Sequence, residues 1–573
     1  MRRTGREWQV ALRHAGVVCS AAAILLGVAA GAPSAGAAGV VEPGAVAVEI
    51  TALAAPEAAP ASDFQLLRIR PDALYRVYAA VGFGPIWFAA EGPRPAVTAA
   101  LAELRATERR GLVPDDYDID ALERQVATAA SAGRSPAGIA RADVALTTRM
   151  LQLLSDLRHG RVRPWDVEPH YRPPGKEFPF VAPLADAVAQ NRLGALIDLA
   201  EPPFPLYARL KSLLAHYRVL AAQPWPPLPA LPPKVDKIEP GARYAGTAAL
   251  HERLYRLGDL PGGAAPPADD RYAGALVDAV KEFQRRHGLA PDGVLGRRSL
   301  AELNVPPEQR VRQIELSLER LRWLPDLPQG PMLVVNIPSF RLWVFSDWPV
   351  SDRPALAMPV IVGRAVRTET PVFVGEMRYV EFSPYWNVPP SILRNELLPA
   401  LARDRAYLDR NDMELVSTRG DGRVTTAVDD ATLAALGAGD LRMRQRPGAK
   451  NALGGVKFVL PNTMDIYLHG TPARALFERT RRDFSHGCIR VADPQALARF
   501  VLRDQPEWTD ARIEAAMAAG TAMTARLKTT LPVIVFYTTA IADTEGRGVF
   551  LADVYGHDRK LERALSAARA RPR

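Results

Sequence analysis

Met464-Asp465-Ile466-Tyr467-Leu468-His469, followed nineteen residues later by Cys488 in the run Ser485-His486-Gly487-Cys488-Ile489-Arg490, decides how the C-terminal half of the chain is read. Met464, Ile466 and Leu468 alternate with other residues at the period of a strand that rests one face on a core. That alternation puts Tyr467 and His469 together on the opposite face, with His469 at the strand's end.

A thiol of ordinary pKa, about 8.5, is only a few per cent thiolate at neutral pH, so a cysteine nucleophile needs a base or a positive partner nearby. His469 and His486 are both candidates. His486 is two residues from Cys488 in a tight turn, whereas His469 reaches the sulfur only through tertiary folding. Gly487 lets the backbone turn, amides around Gly487 and Cys488 suit a developing oxyanion, and Arg490 offers a planar fork for a carboxylate. Singly, each is an ordinary core or surface residue; together they are the parts of an acyl-transfer centre.

Further strands are expected at Leu333 to Ile337, Arg341 to Phe345, Leu356 to Val362, Val372 to Val380, Val456 to Leu460 and Leu531 to Thr538, with Pro338-Ser339 a tight connection. A β-rich catalytic domain therefore occupies 330–540, followed by a C-terminal extension, 541–573. Residues 389–446 read as a helical, charged insertion. Upstream, helical periodicity and turn signals such as Gly82-Phe83-Gly84-Pro85 define an all-helical scaffold at 63–240, rejoined by a connecting helix within 305–329. Trp87, Trp165, His159 and His170 there are expected to pack or face solvent. Pro224 to Pro233 is a proline-rich linker.

Residues 244–304 form a compact unit with helices at about Thr247 to Leu257, Ala273 to His287 and from Gly296. Its Phe283-Gln284, Gly288-Leu289, Asp292-Gly293 and Gly296 follow the pattern of the small three-helix peptidoglycan-binding domain, which it resembles, with Ser299 where threonine is usual. Singly, Gly288 and Gly293 are explained as helix stops and turns. Whether this copy binds glycan is open at this level.

The first 37 residues, Arg-rich to His14, apolar from Gly16 to Ala30 and closing on Ala35-Gly36-Ala37, read as a secretory signal peptide, with an uncleaved anchor as the alternative. Residues 38–62, rich in Ala, Pro, Gly and Val, are expected to be a flexible tether. Of two cysteines, Cys19 lies in the signal. Cys488 is thus left without an internal partner, to be an intermolecular bridge, a buried inert thiol or a reactive one. The composition, 48% apolar and 24% charged, is that of a folded protein. Of the +9 formal charge, three units sit in the signal. The rest suits an acidic polymer or anionic surface but forms no basic block with aromatics, which argues against nucleic acid.

The spacing of His469, fifteen intervening residues, and Ser485-His486-Gly487-Cys488 with Arg490 closely resembles the signature of the L,D-transpeptidase (YkuD-type) family. Tyr385-Trp386-Asn387-Val388-Pro389, Arg444-Gln445-Arg446-Pro447-Gly448, Asn451-Ala452-Leu453-Gly454, His469-Gly470-Thr471-Pro472 and Asp553-Val554-Tyr555-Gly556 are similar to its large, lid-bearing, YcbB-like branch. The resemblance implies an α+β multidomain enzyme of the cell wall, exported to the periplasm. In it Cys488, activated by His469, attacks the L-centre of diaminopimelate in a stem peptide, releases D-alanine and holds a thioester. A second diaminopimelate amine then gives a 3-3 crosslink; a lysine would attach a protein, and water would make the enzyme a carboxypeptidase. His486 and the Gly487 and Cys488 amides are expected to hold the oxyanion, Arg490, Tyr467, Gly470 and Asn451 to line the substrate side, and the insertion to limit water. Gly470 replaces the acidic or hydroxyl residue expected there, so a backbone carbonyl must orient His469. No metal or cofactor is called for; the expected partners are stem peptides, glycan strands and other wall-synthesis proteins, and the thiol is a site for carbapenem acylation. A thiol oxidoreductase and a papain-like protease fit less well, since the chain has no Cys-x-x-Cys pair and no papain-type surroundings for its cysteine, and Cys488, His469 and His486 together argue against a non-enzymatic wall-binding protein.

Overall fold

The computed structural model describes residues 42–56, 72–131, 134–262, 266–349, 351 and 353–569. The expected signal peptide lies outside them.

The catalytic half is built on nine strands: β1 Gly330–Asn336, β2 Arg341–Trp348, β3 Leu356–Gly363, β4 Phe373–Phe382, β5 Val456–Val459, β6 Leu468–His469, β7 Asp483–Ser485, β8 Ile489–Val491 and β9 Met523–Phe536. Their order is β7-β3-β8-β6-β5-β4-β9-β1-β2, and β2 also pairs with β3. Eight strands thus close on themselves and leave only the three-residue β7 as an attached edge, which removes the unpaired backbone an open sheet exposes. Alternate residues, among them Val335, Val360, Val380, Phe458, Leu468, Ile489 and Val533, fill the core. Val and Ile favour this because branching at Cβ packs well on a pleated surface.

The strand expected at Met464–His469 is shorter than its alternation implies: only Leu468 and His469 pair. Asn462 explains the difference. Its Oδ1 accepts from the Met464 and Ile466 amides at 3.0 and 3.1 Å, and its Nδ2 donates to the Leu460 and Ile466 carbonyls. One side chain thereby satisfies backbone groups that a ladder would otherwise pair, and Asp465 takes φ +55°.

The insertion expected to be helical is mixed. Trp386–Asn387, Met413–Ser417, Val424–Thr425 and Leu441–Gln445 form a four-stranded antiparallel sheet, packed with helices Leu398–Arg403 and Asp430–Ala438 around a core of its own that includes Leu401, Leu408, Leu415 and Met443. Its polar, charged strands hide the period-2 signal. In Leu441–Gln445 only Met443 and the hydrogen-bonded Gln445 are buried.

The tether expected at 38–62 also differs. Pro43–Ala54 is a helix started by Pro43, and it buries Val46, Ile50 and Ala54 in the scaffold core. The scaffold centres on the long helix Pro136–His159, where Asp143 accepts hydrogen bonds from the Ile86 and Trp87 amides and the Tyr78 hydroxyl. Helices Pro205–Ala221 and Pro307–Leu321 share a core with the outer face of β1 and β9 and with the hairpin Ala540–Ala542/Gly548–Phe550. Described residues 541–569 of the C-terminal extension are therefore packed onto the barrel. Their helix His557–Arg569 places Leu561 and Leu565 in the barrel's own core.

In the small helical unit, Gln284 is buried. It donates to Asp292 (2.9 Å), the Val294 carbonyl (3.0 Å) and Ser299 (3.0 Å) and accepts from the Gly293 amide (2.8 Å). The Phe-Gln and Asp-Gly signature is thus a fastening of the fold, and Ser299 supplies the hydroxyl that threonine would.

Candidate active site

Strands β6 and β8 run parallel, with Leu468 opposite Ile489 and His469 opposite Arg490. Side chains paired this way share a face. Leu468 and Ile489 point into the core, while Tyr467, His469, Cys488 and Arg490 gather on the other side. The face that alternation assigned to Tyr467 and His469 is the one that receives Cys488.

The thiol donates to the Asp465 carbonyl at 3.5 Å and lies within hydrogen-bond reach of the Tyr467 hydroxyl and amide. Burial pushes the Cys488 pKa up, more than the Tyr467 donors and the Lys457 charge bring it down. Tyr467 is itself pushed up, by burial and then by the sulfur's charge. Lys457 Nζ sits 4.5 Å from the Tyr467 ring centroid and pairs with Glu381 at 3.2 Å.

His469 is buried, between Arg490 on β8 and Lys457 opposite it on β5. Burial first, then the Arg490 charge, lowers its pKa to about 3, so the ring is neutral at any ordinary pH. Its Nδ1 lies 2.5 Å from the Gly470 carbonyl. A proton there leaves Nε2 as the basic nitrogen. The backbone carbonyl expected to replace an acidic or hydroxyl side chain is thus in place.

The cysteine turn is held from three sides. Ser485 Oγ donates to the Cys488 carbonyl at 2.6 Å and accepts from the Gly487 amide at 3.2 Å. Thr370 Oγ1 donates to the Gly487 carbonyl at 2.6 Å, and Thr368 Oγ1 to the Ser485 carbonyl at 3.0 Å. Gly487 has φ +118°, a conformation open essentially to glycine alone. At Gly363 on β3 a Cβ would lie 1.9 Å from the Thr368 carbonyl oxygen, so the bracing loop approaches only because that residue is glycine. Behind the loop, Tyr555 donates to the Gly363 carbonyl at 2.6 Å and accepts from the Thr370 amide at 3.3 Å. That gives the Asp553-Val554-Tyr555-Gly556 run its structural role.

Two sequence expectations change. The Gly487 amide, expected to help hold the oxyanion, donates instead to Ser485 Oγ at 3.2 Å. Asn451, expected to line the substrate side, is buried and fully committed. It donates to the Pro384 and Arg446 carbonyls, both at 2.9 Å, and accepts from the Leu453 amide at 2.8 Å. It fastens the point where the insertion rejoins the barrel, next to the Leu453 carbonyl that meets His469. Arg490 lies on the His469 face, and its buried Nε has no hydrogen-bond partner among the described residues. Sequence reasoning missed Glu396, from a single π-helical turn, Leu393–Leu397, of the insertion. Its Oε1 accepts from His486 Nε2 at 2.6 Å across ninety residues of chain, and no local pattern signals such a contact.

Cys488, a neutral buried His469, a turn braced by the hydroxyls of Ser485, Thr368 and Thr370, and Arg490 with an unpartnered Nε thus gather on one face of a closed sheet. Residues 330–535 match the family model of the L,D-transpeptidase catalytic domain, YkuD; residues 72–214 match a scaffold domain, and 243–303 a domain provisionally described as peptidoglycan-binding. The chain thus carries an L,D-transpeptidase catalytic domain, the domain of an enzyme. A provisionally named L,D-transpeptidase of Haemophilus influenzae is 32% identical over 253 residues, 44% of this chain and 49% of that protein, so the match spans about half of the relative. Among solved structures, an L,D-transpeptidase from Xylanimonas cellulosilytica aligns at 16% identity over 53% of this chain and 100% of its own, with a TM-score of 0.17. A fused Zn-dependent amidase/peptidase/peptidoglycan-binding protein from Clostridium acetobutylicum aligns at 12% over the same shares, with a TM-score of 0.16.

Proposed function

We propose that this enzyme crosslinks peptidoglycan stem peptides by L,D-transpeptidation, forming 3-3 bonds through a thioester on Cys488. The observation that carries the reading is the register of β6 against β8, which brings Cys488, His469 and Arg490 to one face. In the resting site the sulfur's proton is shared with the Asp465 carbonyl rather than with an imidazole. For attack, the Sγ–H turns from that carbonyl toward His469, whose neutral ring takes the proton as the sulfur bonds to the carbonyl carbon of the L-centre. The Cys488 amide steadies the oxyanion and Arg490 receives a substrate carboxylate. The proton returns to the leaving D-alanine amine.

Water in place of the second amine would give a carboxypeptidase, and a protein lysine an attachment enzyme; both use the same thioester. The small helical unit is proposed to bring the enzyme to glycan strands, and the site of action to be the periplasm. No helix among the described residues is long and apolar enough to cross a membrane. Cys488→Ala should abolish crosslinking of purified tetrapeptide muropeptides, read by chromatography and mass spectrometry. Retained crosslinking would overturn the assignment.

A further inference from the structure

The charges around the sulfur are unevenly committed. Lys457 is held by Glu381 and the Tyr467 ring, while Arg490 has a buried Nε without a partner and stands ready for an anion. A carboxyl-bearing acyl donor therefore has its place on the barrel side. The amine that resolves the thioester arrives at neutral pH as an ammonium, and it needs a carboxylate not already neutralised by a lysine or arginine. Glu396 meets that requirement. It reaches the cysteine turn from the insertion, and its partner among the described residues is His486, two positions from Cys488. Both side chains stay accessible, His486 at 28% and Glu396 at 49% exposure, so a substrate can enter beside them. Leu393 and Leu397, at either end of the same π-helical turn, are buried in the insertion's core and fix the carboxylate's approach. Single π-turns recur where a helix must re-aim one side chain.

We propose that Glu396, with His486, is the acceptor-side element of the site, receiving the ammonium of the incoming amine; the inference rests on Cys488 forming the thioester. The acceptor ammonium pairs with the Glu396 carboxylate and gives one proton to the carboxylate–imidazole pair. The freed amine attacks the thioester carbonyl, the C–N bond forms and the C–S bond breaks, and the sulfur leaves with the electron pair. The second nitrogen proton goes to the thiolate, and the first passes to solvent. Selection of the acceptor thus travels with the insertion, while the donor is bound by the barrel.

The test compares the full-length enzyme with Glu396→Gln and Glu396→Asp, using a tetrapeptide donor and a diaminopimelate-bearing acceptor. Mass spectrometry follows the Cys488 acyl-enzyme, and chromatography measures crosslinked against hydrolysed product. Glu396→Gln should still form the acyl-enzyme but lower the crosslinked-to-hydrolysed ratio about tenfold, with Glu396→Asp intermediate. Hydroxylamine, uncharged at neutral pH, should resolve the thioester equally fast in both. An unchanged ratio, an equal loss with hydroxylamine, or a loss produced by Asp465→Asn instead would overturn the proposal. Failure of the wild-type enzyme to acylate at all would overturn the thioester reading itself.

Discussion

His469 and Arg490 stand opposite one another on adjacent parallel strands, a buried imidazole beside a guanidinium whose Nε has no hydrogen-bond partner among the described residues. The pair sets the state in which the site waits. Beside that charge, and with Lys457 on its other flank, the imidazole does not hold a proton, so the resting couple is thiol and neutral base rather than thiolate and imidazolium.

A pH profile should show this directly. His469 titrates at about 3, and burial raises the Cys488 thiol above its usual range. Alkylation of Cys488 by iodoacetamide should therefore climb with pH through neutrality and beyond about pH 9. A plateau of reactivity near pH 6 to 7 would reveal an ion pair and contradict this account.

Arg490→Gln removes one of the two cations that hold His469 neutral. The His469 pKa should rise from about 3 yet stay below its ordinary value, since burial is the larger cause. Histidine-resolved NMR titration measures the shift. The KM for the donor peptide should also rise, by about tenfold, if Arg490 receives a substrate carboxylate.

Ser485→Ala deletes the hydroxyl that joins the Gly487 amide to the Cys488 carbonyl. A loss of about 2 kcal/mol of positioning corresponds to a kcat some 10- to 100-fold lower, with KM little changed. Single-turnover acylation kinetics distinguish this from a binding defect.

Asn451→Ala leaves the Pro384 and Arg446 carbonyls and the Leu453 amide without their side-chain partner. Stability should fall by about 2 to 4 kcal/mol, seen as a lower Tm and a smaller denaturant midpoint. If Asn451 bound substrate instead, Tm would hold and KM alone would rise.

Much of this was legible in the chain because it depends on local pattern. Strands β1 to β5 and β9 overlap the alternating segments, since half-buried strands write their burial at period two. The insertion's strands leave no clear period-two signal because Arg442 and Arg444 stand on their outer side and their core is small. Helix Pro43–Ala54 was hidden by composition, as alanine and valine over a short span give little contrast between its two faces. The alternation from Met464 overstates the strand because Asn462 competes for the same backbone groups.

The sequence by itself determined the residue types, the spacing of His469 and Cys488, and the face that Tyr467 and His469 share. Those follow from covalent order and from the two-residue repeat of a strand. Tertiary structure alone decided which candidate histidine is buried between two cations and which faces the insertion. It also decided which amide is taken by Ser485, and that Asn451 fastens rather than binds. Each of these depends on desolvation or on a hydrogen bond between segments far apart in the chain. Such terms exist only once the barrel closes and the insertion packs over the cysteine turn.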